Sequence, residues 1–368
     1  MKKITILALH DGVGGAEKYI SSLCEMLNQE FEIEIIFTYK SKDKVYEFPK
    51  AKLIYLINDI SNRKEFLDYV KKHKWFKCLK EGIKSCKLLY LKNTLNKKVI
   101  KKINSDYIIT TRPFHSKLVS KYASSKTIKI ATEHNYHDNT DKYVKKLLSS
   151  IKNFDYLILV SKELKNFYKQ LTQVKCVYIP NTCDLTIHPK STLDANVITC
   201  IGRLNPEKGF MDLIDIIKLV KEKINIKVNL IGDGPEKDKI KEKIEANNLT
   251  STISLLGFLN SEDIAKYLQK SSLLIMTSYT ESFGIVLLEA MEAGVLPLAF
   301  DSAKGACEVL EEDKDLLVSH RNKKAMADKI IFYLNNKNVL KKKVKSNNKR
   351  LTKYKMDKVK EMWKQIIK

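Results

Sequence analysis

The sequence has few cysteines and no long apolar run, and each shortage excludes a class of protein. Its seven cysteines are scattered, odd in number and never two residues apart, which argues against a zinc site and a disulfide framework and favours a reducing cytosol. No apolar run approaches the ~18 residues that a membrane-spanning helix needs. The apolar segment after Lys3 has six or seven residues, which is too short for a signal peptide and predicts a first strand.

Acidic side chains are also in short supply. The 368 residues hold 43 Asp and Glu against 67 Lys and Arg, a formal net charge of +24. Such an excess of positive charge implies an anionic partner, which the composition leaves open as nucleic acid, a phospholipid surface or a phosphorylated substrate. The length allows two domains of roughly 150 to 200 residues each.

A strand, loop and helix pattern stands out between residues 271 and 294. Four apolar residues at 273–276 predict a buried strand, residues 277–282 are polar, and apolar residues recur at helical spacing after Gly284. The free backbone N–H groups and the positive dipole end of a helix at such a junction suit a phosphate group. Glu281 and Glu289 bracket the turn, and a carboxylate can accept hydrogen bonds from two vicinal hydroxyls.

Another junction of this kind lies earlier in the chain. Residues 197–201 predict a strand, and the loop that follows carries Arg203 and Lys208 between Gly202 and Gly209. Two cations in one loop can hold both phosphates of a diphosphate and neutralise the charge that grows as it departs.

The first half of the chain also opens with a strand, a glycine-rich loop and a helix. Gly14 and Gly15 lie in that loop, whose spacing is not that of a dinucleotide-binding fingerprint and which lacks a P-loop lysine. A tight turn accounts for any single glycine here equally well. A further predicted strand, at 127–132, ends in polar residues that include His134 and His137, where open α/β sheets keep their sites.

Residues 281–289 begin and end with a glutamate, and Ser-Phe-Gly follows the first of them directly. This segment resembles the central motif of family 4 of the retaining glycosyltransferases, which are enzymes of the GT-B fold. The loop at 202–209 is similar to a second motif of that family, and the first glycine loop is similar to its N-terminal loop. The resemblance covers essentially the whole second half of the chain and the first half loosely. It implies an α/β fold of two doubly wound Rossmann-like domains facing across a cleft, and a front-face displacement that needs neither a metal ion nor a cofactor.

The resemblance also implies roles for individual residues. Glu281 and His134 would meet the donor sugar, with His134 preferred to His137, and Glu289 would hold the ribose. The residues implied in catalysis are Glu281, His134, Arg203 and Lys208. Those implied in donor binding are Gly14, Gly15, Arg203, Lys208, Gly232, Gly257, Phe258, Ser282, Phe283, Gly284, Ile285 and Glu289.

The implied donor is a nucleotide sugar, with UDP favoured over GDP, that supplies a hexose or an N-acetylhexosamine. The implied acceptor is a lipid-linked or polysaccharide glycan of the cell surface, and we expect a cytoplasmic protein at the inner face of the plasma membrane. The predicted domains are residues 1–182 on the acceptor side, residues 183–348 for the nucleotide sugar, and a helix at 349–368 that crosses back to the first domain.

Residues 61–103 form a predicted helical and very basic region. Twelve lysines and one acid, Glu81, lie between residues 71 and 102. One helical face carries Trp75, Leu79, Ile83, Cys86 and Tyr90. This pattern is typical of a helix that lies on an anionic membrane. The alternative is a surface helix that packs its apolar face on the sheet and extends its lysines into water.

Other functions stay open beside the transferase. One is a nucleotide-sugar epimerase of the GT-B fold, and another is a basic nucleic-acid-binding protein. Against the latter, the lysines are not interleaved with aromatics and no known module is present, so we expect no nucleic-acid partner. Asp313 and Asp315 formally match a metal-binding Asp-x-Asp pattern, but they stand in a late acidic loop and we expect no metal there.

Overall fold

The computed structural model describes residues 1–12, 14–41, 46–58, 66, 69–70, 72–136, 140–183, 187–311 and 313–368. The candidate His137 and part of the basic region, including 61–65, lie outside the described residues. The chain divides into two compact units. The first unit comprises Met1–Leu159, Lys165–Tyr178 and Ile366–Lys368, and the second comprises Val160–Leu164 and Ile179–Gln365.

The first unit is built on a parallel sheet. Its strands in the described residues are β1 (Lys2–Ala8), β2 (Phe31–Tyr39), β3 (Lys52–Ile57), β4 (Tyr107–Thr110), β5 (Ile128–Glu133), β6 (Tyr156–Leu159) and β7 (Lys175–Tyr178). They are ordered β3-β2-β1-β4-β5-β6-β7, and Ile4 of β1 pairs with Ile33 on one side and Tyr107 on the other. Ile4 and Ile6 are fully buried, as expected for a parallel sheet covered on both faces.

Helices connect these strands. They are α1 (Gly15–Leu27), α2 (Trp75–Ile100), α3 (Pro113–Tyr122), α4 (Asp141–Ser150) and α5 (Lys162–Lys169). The start of α4 is fixed by Thr140, whose side-chain oxygen accepts a hydrogen bond from the backbone N–H of Tyr143 at 3.1 Å.

The second unit repeats the plan with six described strands, again all parallel. These are β8 (Val197–Ile201), β9 (Lys227–Ile231), β10 (Ile253–Gly257), β11 (Leu273–Met276), β12 (Leu296–Phe300) and β13 (Leu317–Val318). Their order is β10-β9-β8-β11-β12-β13, the 3-2-1-4-5-6 order of a doubly wound Rossmann sheet. The helices are α6 (Phe210–Lys221), α7 (Lys237–Ala246), α8 (Ser261–Gln269), α9 (Ile285–Glu292), α10 (Lys304–Val309), α11 (Lys323–Asn335), α12 (Lys337–Leu351) and α13 (Met356–Lys364).

The two doubly wound α/β domains predicted from the sequence are confirmed. The division after Tyr178 lies close to the boundary predicted after residue 182. The last predicted helix is shorter than expected, because Lys355 adopts an extended conformation and α13 begins only at Met356. Helix α13 belongs to the second unit, and the three residues Ile366–Lys368 belong to the first. No helix in the described ranges is long and apolar enough to span a bilayer.

Both sheets reverse their strand order beside their first strand. In the first unit β1 lies between β2 and β4, and in the second β8 lies between β9 and β11. Open α/β sheets bind ligands at the carboxyl ends of the strands where the order reverses. The loops after β1 and β4, and those after β8 and β11, are therefore where each unit should carry its functional side chains.

Candidate active site

The loops after β8 and β11 are bonded to each other in the second unit. The hydroxyl of Thr277 donates to the carbonyl oxygen of Lys208 at 3.0 Å, and the N–H of Tyr279 donates to the carbonyl of Glu207 at 2.8 Å. Gly209 is left-handed, with φ 65°, and a Cβ on it would lie 2.2 Å from the carbonyl oxygen of Thr277. Glycine is therefore required where the two loops touch.

These loops bring together two of the predicted catalytic side chains. The ammonium of Lys208 donates to Oε2 of Glu281 at 2.6 Å, and the two side chains are 25% and 15% exposed. Arg203 stands in the same loop as Lys208, is exposed, and has no carboxylate partner within the described part of the chain. The site therefore holds one cation that is already paired and a second that can turn toward a ligand.

Helix α9 begins beside this ion pair. Gly284 precedes it with φ 93° and ψ 58°, and no side chain caps the helix. The ring of Phe283 is buried and packs edge-on against Tyr354 with the ring centroids 5.4 Å apart. Because that ring is committed to the core, a ligand at this end of α9 would meet the backbone around Gly284 and Ile285, whose N–H groups and dipole favour an anion.

Glu289 is placed in the second turn of α9, as predicted. It is only 4% exposed, so its carboxylate is largely enclosed by the protein. Ser282 and Ile285, at the start of the helix, are half-buried and more accessible.

The predicted glycines after β9 and β10 hold three strand ends close together. The N–H of Gly232 donates to the carbonyl of Gly257 at 2.7 Å, and Gly202 donates to the carbonyl of Ile231 at 3.0 Å. A Cβ on Gly232 would lie 1.9 Å from the carbonyl oxygen of Gly202. Phe258 follows directly and is exposed.

Sequence reasoning missed the residues that support the loop at 277–284. A Cβ on Gly305, in α10, would lie 2.3 Å from the nitrogen of Phe283, and the N–H of Gly305 donates to the carbonyl of Glu281 at 2.9 Å. Arg321 donates to the carbonyl oxygens of Thr277 and Ser278, both at 3.0 Å. No local pattern identifies either residue, because each contacts the loop from more than twenty positions later in the chain.

The Asp-x-Asp pattern has a structural role. Asp313 forms ion pairs with Lys343 at 3.0 Å and with Arg350 at 2.6 Å, and Asp315 pairs with Lys343 at 2.7 Å. Within the described ranges, no group of three His, Cys, Asp or Glu side chains is arranged to hold a metal ion.

In the first unit, charged side chains gather at the corresponding position. Glu17, in the first turn of α1, is buried, and its Oε1 lies 3.7 Å from Nδ1 of His10 and 4.0 Å from Arg112, the residue before α3. A Cβ on Gly14 would lie 2.1 Å from Oε2 of Glu17, so the predicted glycine leaves room for this carboxylate. The sequence motif Gly-Gly-Ala-Glu at residues 14–17 had included Glu17 but assigned it no role.

His134 follows β5 immediately. Its ring packs on Tyr19 with the centroids 4.3 Å apart, and its Nε2 lies 3.1 Å from the hydroxyl of Thr132. Burial, together with the charge of Arg112, lowers the pKa of His134 to about 3, so the ring is neutral at physiological pH. A neutral ring can orient a sugar by a hydrogen bond but adds no positive charge to the site.

The comparisons with known proteins agree with this architecture. Residues 185–351 match the family described as Glycosyl transferases group 1. The chain is 27% identical over 348 residues, 89% of its length and 88% of the relative, to the Campylobacter jejuni N-acetylgalactosamine-N,N'-diacetylbacillosaminyl-diphospho-undecaprenol 4-alpha-N-acetylgalactosaminyltransferase. It is 25% identical over 276 residues, 73% of its length, to a Streptomyces coelicolor exopolysaccharide phosphotransferase, of which it covers only 29%.

Among solved structures, a mutant of Staphylococcus aureus TarM in complex with Fondaparinux, alpha-GlcNAc-glycerol and UDP is similar with a TM-score of 0.80. The match covers 100% of this chain and 99% of that one at 16% identity, which shows the fold alone. Residues 185–351 are therefore similar to the group 1 glycosyltransferases, and both units have the doubly wound fold of the GT-B enzymes.

Proposed function

We propose that the protein is a retaining glycosyltransferase that moves a hexose or N-acetylhexosamine from a UDP-sugar to a lipid-linked or polysaccharide acceptor in cell-surface glycan synthesis. The observation that carries the proposal is the ion pair of Lys208 and Glu281, 2.6 Å long, beside the uncapped start of α9. A cation, a carboxylate and a helix N-terminus at one sheet edge match the diphosphate and the hydroxylated sugar of such a donor.

In the proposed reaction, an acceptor hydroxyl attacks the anomeric carbon from the face that the diphosphate leaves. The bond between that carbon and the β-phosphate oxygen breaks, its electron pair stays with UDP, and the phosphate oxygen takes the hydroxyl proton. Lys208, Arg203 and the backbone at Gly284 stabilise the negative charge that grows on the diphosphate. Glu281 orients the sugar hydroxyls, and no metal ion takes part in any step.

The remaining predicted residues complete the proposal. Glu289 holds the ribose, the backbone at Gly257 and Phe258 meets the base, and Gly14 and Gly15 leave room for the donor in the first unit. His134 meets the sugar as a neutral ring, in line with its lowered pKa.

The choice of donor and acceptor is supported by the relatives. A bound UDP is named for the TarM structure, and the Campylobacter relative is named for transfer of N-acetylgalactosamine to a diphospho-undecaprenol glycan. A cytoplasmic location fits the seven cysteines, all of which are free thiols, since disulfides are rare in a reducing compartment.

The nucleotide product tests the reaction class. The full-length protein is incubated with a panel of UDP- and GDP-sugars and a lipid-linked acceptor, and the released nucleotide is identified by chromatography. Glycosyl transfer releases the nucleoside diphosphate, whereas transfer of a sugar phosphate, as the name of the Streptomyces relative would suggest, releases the monophosphate. Release of UMP alone, or of no nucleotide with any donor, would refute the proposal.

Two further measurements on the same reaction address its finer points. The anomeric configuration of the product, read from the coupling constants in its NMR spectrum, must equal that of the donor if the enzyme is retaining. The rate must be unchanged by EDTA if no metal ion takes part.

A further inference from the structure

A buried carboxylate stands where β5 passes into the loop that follows it. Glu133, the last residue of the strand, is only 2% exposed. Its Oε1 accepts hydrogen bonds from the backbone N–H groups of His134 at 2.8 Å and Asn135 at 2.6 Å. Two successive N–H groups that point at one anion form a compact anion-binding turn. The carboxylate of Glu133 therefore determines the path of the backbone at His134.

Tyr143 holds the other oxygen of this carboxylate. Its hydroxyl donates to Oε2 of Glu133 at 2.7 Å and accepts a hydrogen bond from the side-chain amide of Asn135 at 2.8 Å. Tyr143 lies in the first turn of α4, whose start is fixed by Thr140. The end of β5 and the start of α4 are thus joined through one carboxylate, and the turn between them is held from both sides.

The ring of His134 depends on this turn. It packs on Tyr19 with the centroids 4.3 Å apart, and its Nε2 lies 3.1 Å from the hydroxyl of Thr132. That hydroxyl donates to the carbonyl of Thr110 at 3.4 Å, so its oxygen accepts the hydrogen bond from the N–H at Nε2. A shift of the backbone at His134 would carry the ring away from both Tyr19 and Thr132.

A contribution to folding alone does not explain a carboxylate at this position. Burial raises the pKa of Glu133, although its hydrogen bonds act in the opposite direction, so the ionised form is costly here. Strand β5 is held by its ladders to β4 and β6 and by the buried Ile130 and Ala131. Within the described residues, the donors to Glu133 come from the loop and from α4. An apolar side chain would serve the core equally well, so what the carboxylate adds is the geometry of the loop.

We propose that Glu133 is a positioning residue for His134. Its carboxylate holds the backbone of the turn and Tyr143 holds the carboxylate, so that the imidazole stays packed on Tyr19 where the donor sugar would meet it. Glu133 itself does not touch the substrate. The inference rests on the proposed function, because the position of His134 matters to catalysis only if this ring meets the sugar. The position of the ring can be measured without the reaction, which keeps the two failures apart.

NMR of protein labelled with ¹³C-histidine gives this measurement. The chain has seven histidines, and the signal of His134 is the one missing from His134→Ala. In the wild type this ring should not titrate between about pH 5 and 8, because its pKa is lowered to about 3. Glu133→Met keeps the side-chain length but removes the hydrogen bonds, so the ring should become solvated and its pKa should rise toward about 6.5. Loss of the negative charge alone would lower the pKa, so a rise reports the release of the ring.

Two milder substitutions should give graded results. Tyr143→Phe removes one hydrogen bond and keeps the charge of Glu133, so the pKa of His134 should rise by less than in Glu133→Met. Glu133→Gln keeps an oxygen that can accept both N–H groups of the turn, so it should restore a titration close to that of the wild type. This order is expected only if the hydrogen bonds to the turn hold the ring.

Matched controls lie in the same unit at the opposite edge of the sheet. The carboxylate of Asp155 accepts from the N–H of Lys129 at 2.7 Å, and the hydroxyl of Tyr107 donates to the carbonyl of Lys368 at 2.8 Å. Asp155→Asn and Tyr107→Phe make the same chemical changes as Glu133→Gln and Tyr143→Phe. Both should leave the titration of His134 as in the wild type.

Kinetics then connect the position of the ring to the proposed reaction. Glu133→Met should lower kcat about 10- to 100-fold. Its UDP affinity in calorimetry should equal that of the wild type, because the residues proposed to hold the diphosphate, the ribose and the base lie in the second unit. In the His134→Ala background the same substitution should lower kcat by no more than about twofold, since both changes act through one ring.

The outcomes separate the positioning from the reaction. If His134 does not titrate in Glu133→Met or in Tyr143→Phe, the positioning by Glu133 is wrong. Losses of kcat that multiply in the double variant would overturn it as well, because Glu133 would then act independently of His134. If the ring titrates as expected but Glu133→Met and His134→Ala keep the wild-type kcat, the positioning stands and the role of His134 in the proposed reaction fails.

Discussion

Replacement of Lys208 by methionine removes the ammonium and keeps most of the length of the side chain. In the proposed reaction this ammonium faces the diphosphate when the negative charge is greatest. Loss of one donor of this kind costs about 3 kcal/mol of transition-state stabilisation, which is roughly 150-fold in kcat. We therefore expect Lys208→Met to transfer sugar at less than about a hundredth of the wild-type rate.

The same substitution should change stability little. Lys208 and Glu281 are 25% and 15% exposed, so solvent screens their attraction and water reaches the carboxylate that is left behind. A cost of about 1 kcal/mol is an upper estimate for such a pair, and it corresponds to a fall in Tm of about 2–4 °C in a domain of this size. A large loss of rate with a small loss of Tm is therefore the expected signature.

The assay measures UDP release under saturating donor, with thermal unfolding of the same preparations. Lys237→Met is the matched control, because Lys237 loses the same charge from the same unit and pairs with Asp233 at 3.1 Å in an exposed position. The reasoning is refuted if Lys208→Met retains a kcat within about threefold of the wild type. It is equally refuted if the control loses as much activity.

Two other substitutions probe the support of the site and a buried histidine of the first unit, His115, whose Nε2 lies 2.8 Å from the hydroxyl of Thr38. Gly305→Ala puts a Cβ 2.3 Å from the nitrogen of Phe283, so we expect the free energy of unfolding to fall by about 1–3 kcal/mol and UDP to bind more weakly. A wild-type Tm in thermal unfolding together with wild-type UDP affinity in calorimetry would contradict this. Burial lowers the pKa of His115 to about 3, so only the unfolded chain takes up a proton there below about pH 6.5. Between pH 7 and 5 the free energy of unfolding of the wild type should therefore fall by about 2 kcal/mol because of this residue. Urea unfolding of His115→Gln should show a fall that is smaller by this amount. If the variant and the wild type show the same pH dependence, His115 is protonated in the native state.

The fold could be predicted because parallel strands carry a local signal. A strand buried on both faces is a short continuous apolar run, and residues 273–276 form such a run between polar segments. Helix α9 begins at Ile285, where the sequence predicted it, because Gly284 ends the loop in a left-handed conformation. Helix α13 was less predictable, since nothing in its periodicity shows that Lys355 is extended.

The candidate site, like the fold, could be predicted from the sequence only in part. Arg203, Lys208 and Glu281 were identified because each follows a predicted strand within a few residues, and strand ends of one parallel sheet meet at one edge. Gly305 and Arg321 were missed because their contacts with the loop depend on the packing of α10 and on the turn before α11. Glu17 was part of the quoted motif at residues 14–17 but was given no role, since an acid in the first turn of a helix is ordinarily explained by the helix dipole alone.

The missed residues determine how the identified ones can work. The loop at 277–284 carries Glu281 and leads into α9, and its backbone is fixed from behind by Arg321 at Thr277 and by Gly305 at Glu281. A preformed loop does not have to be ordered at the moment of reaction, which is the condition under which fixed dipoles and charges stabilise a leaving diphosphate most strongly. In the proposed reaction the motif thus supplies the chemical groups, and residues more than twenty positions away hold in place the loop that carries them.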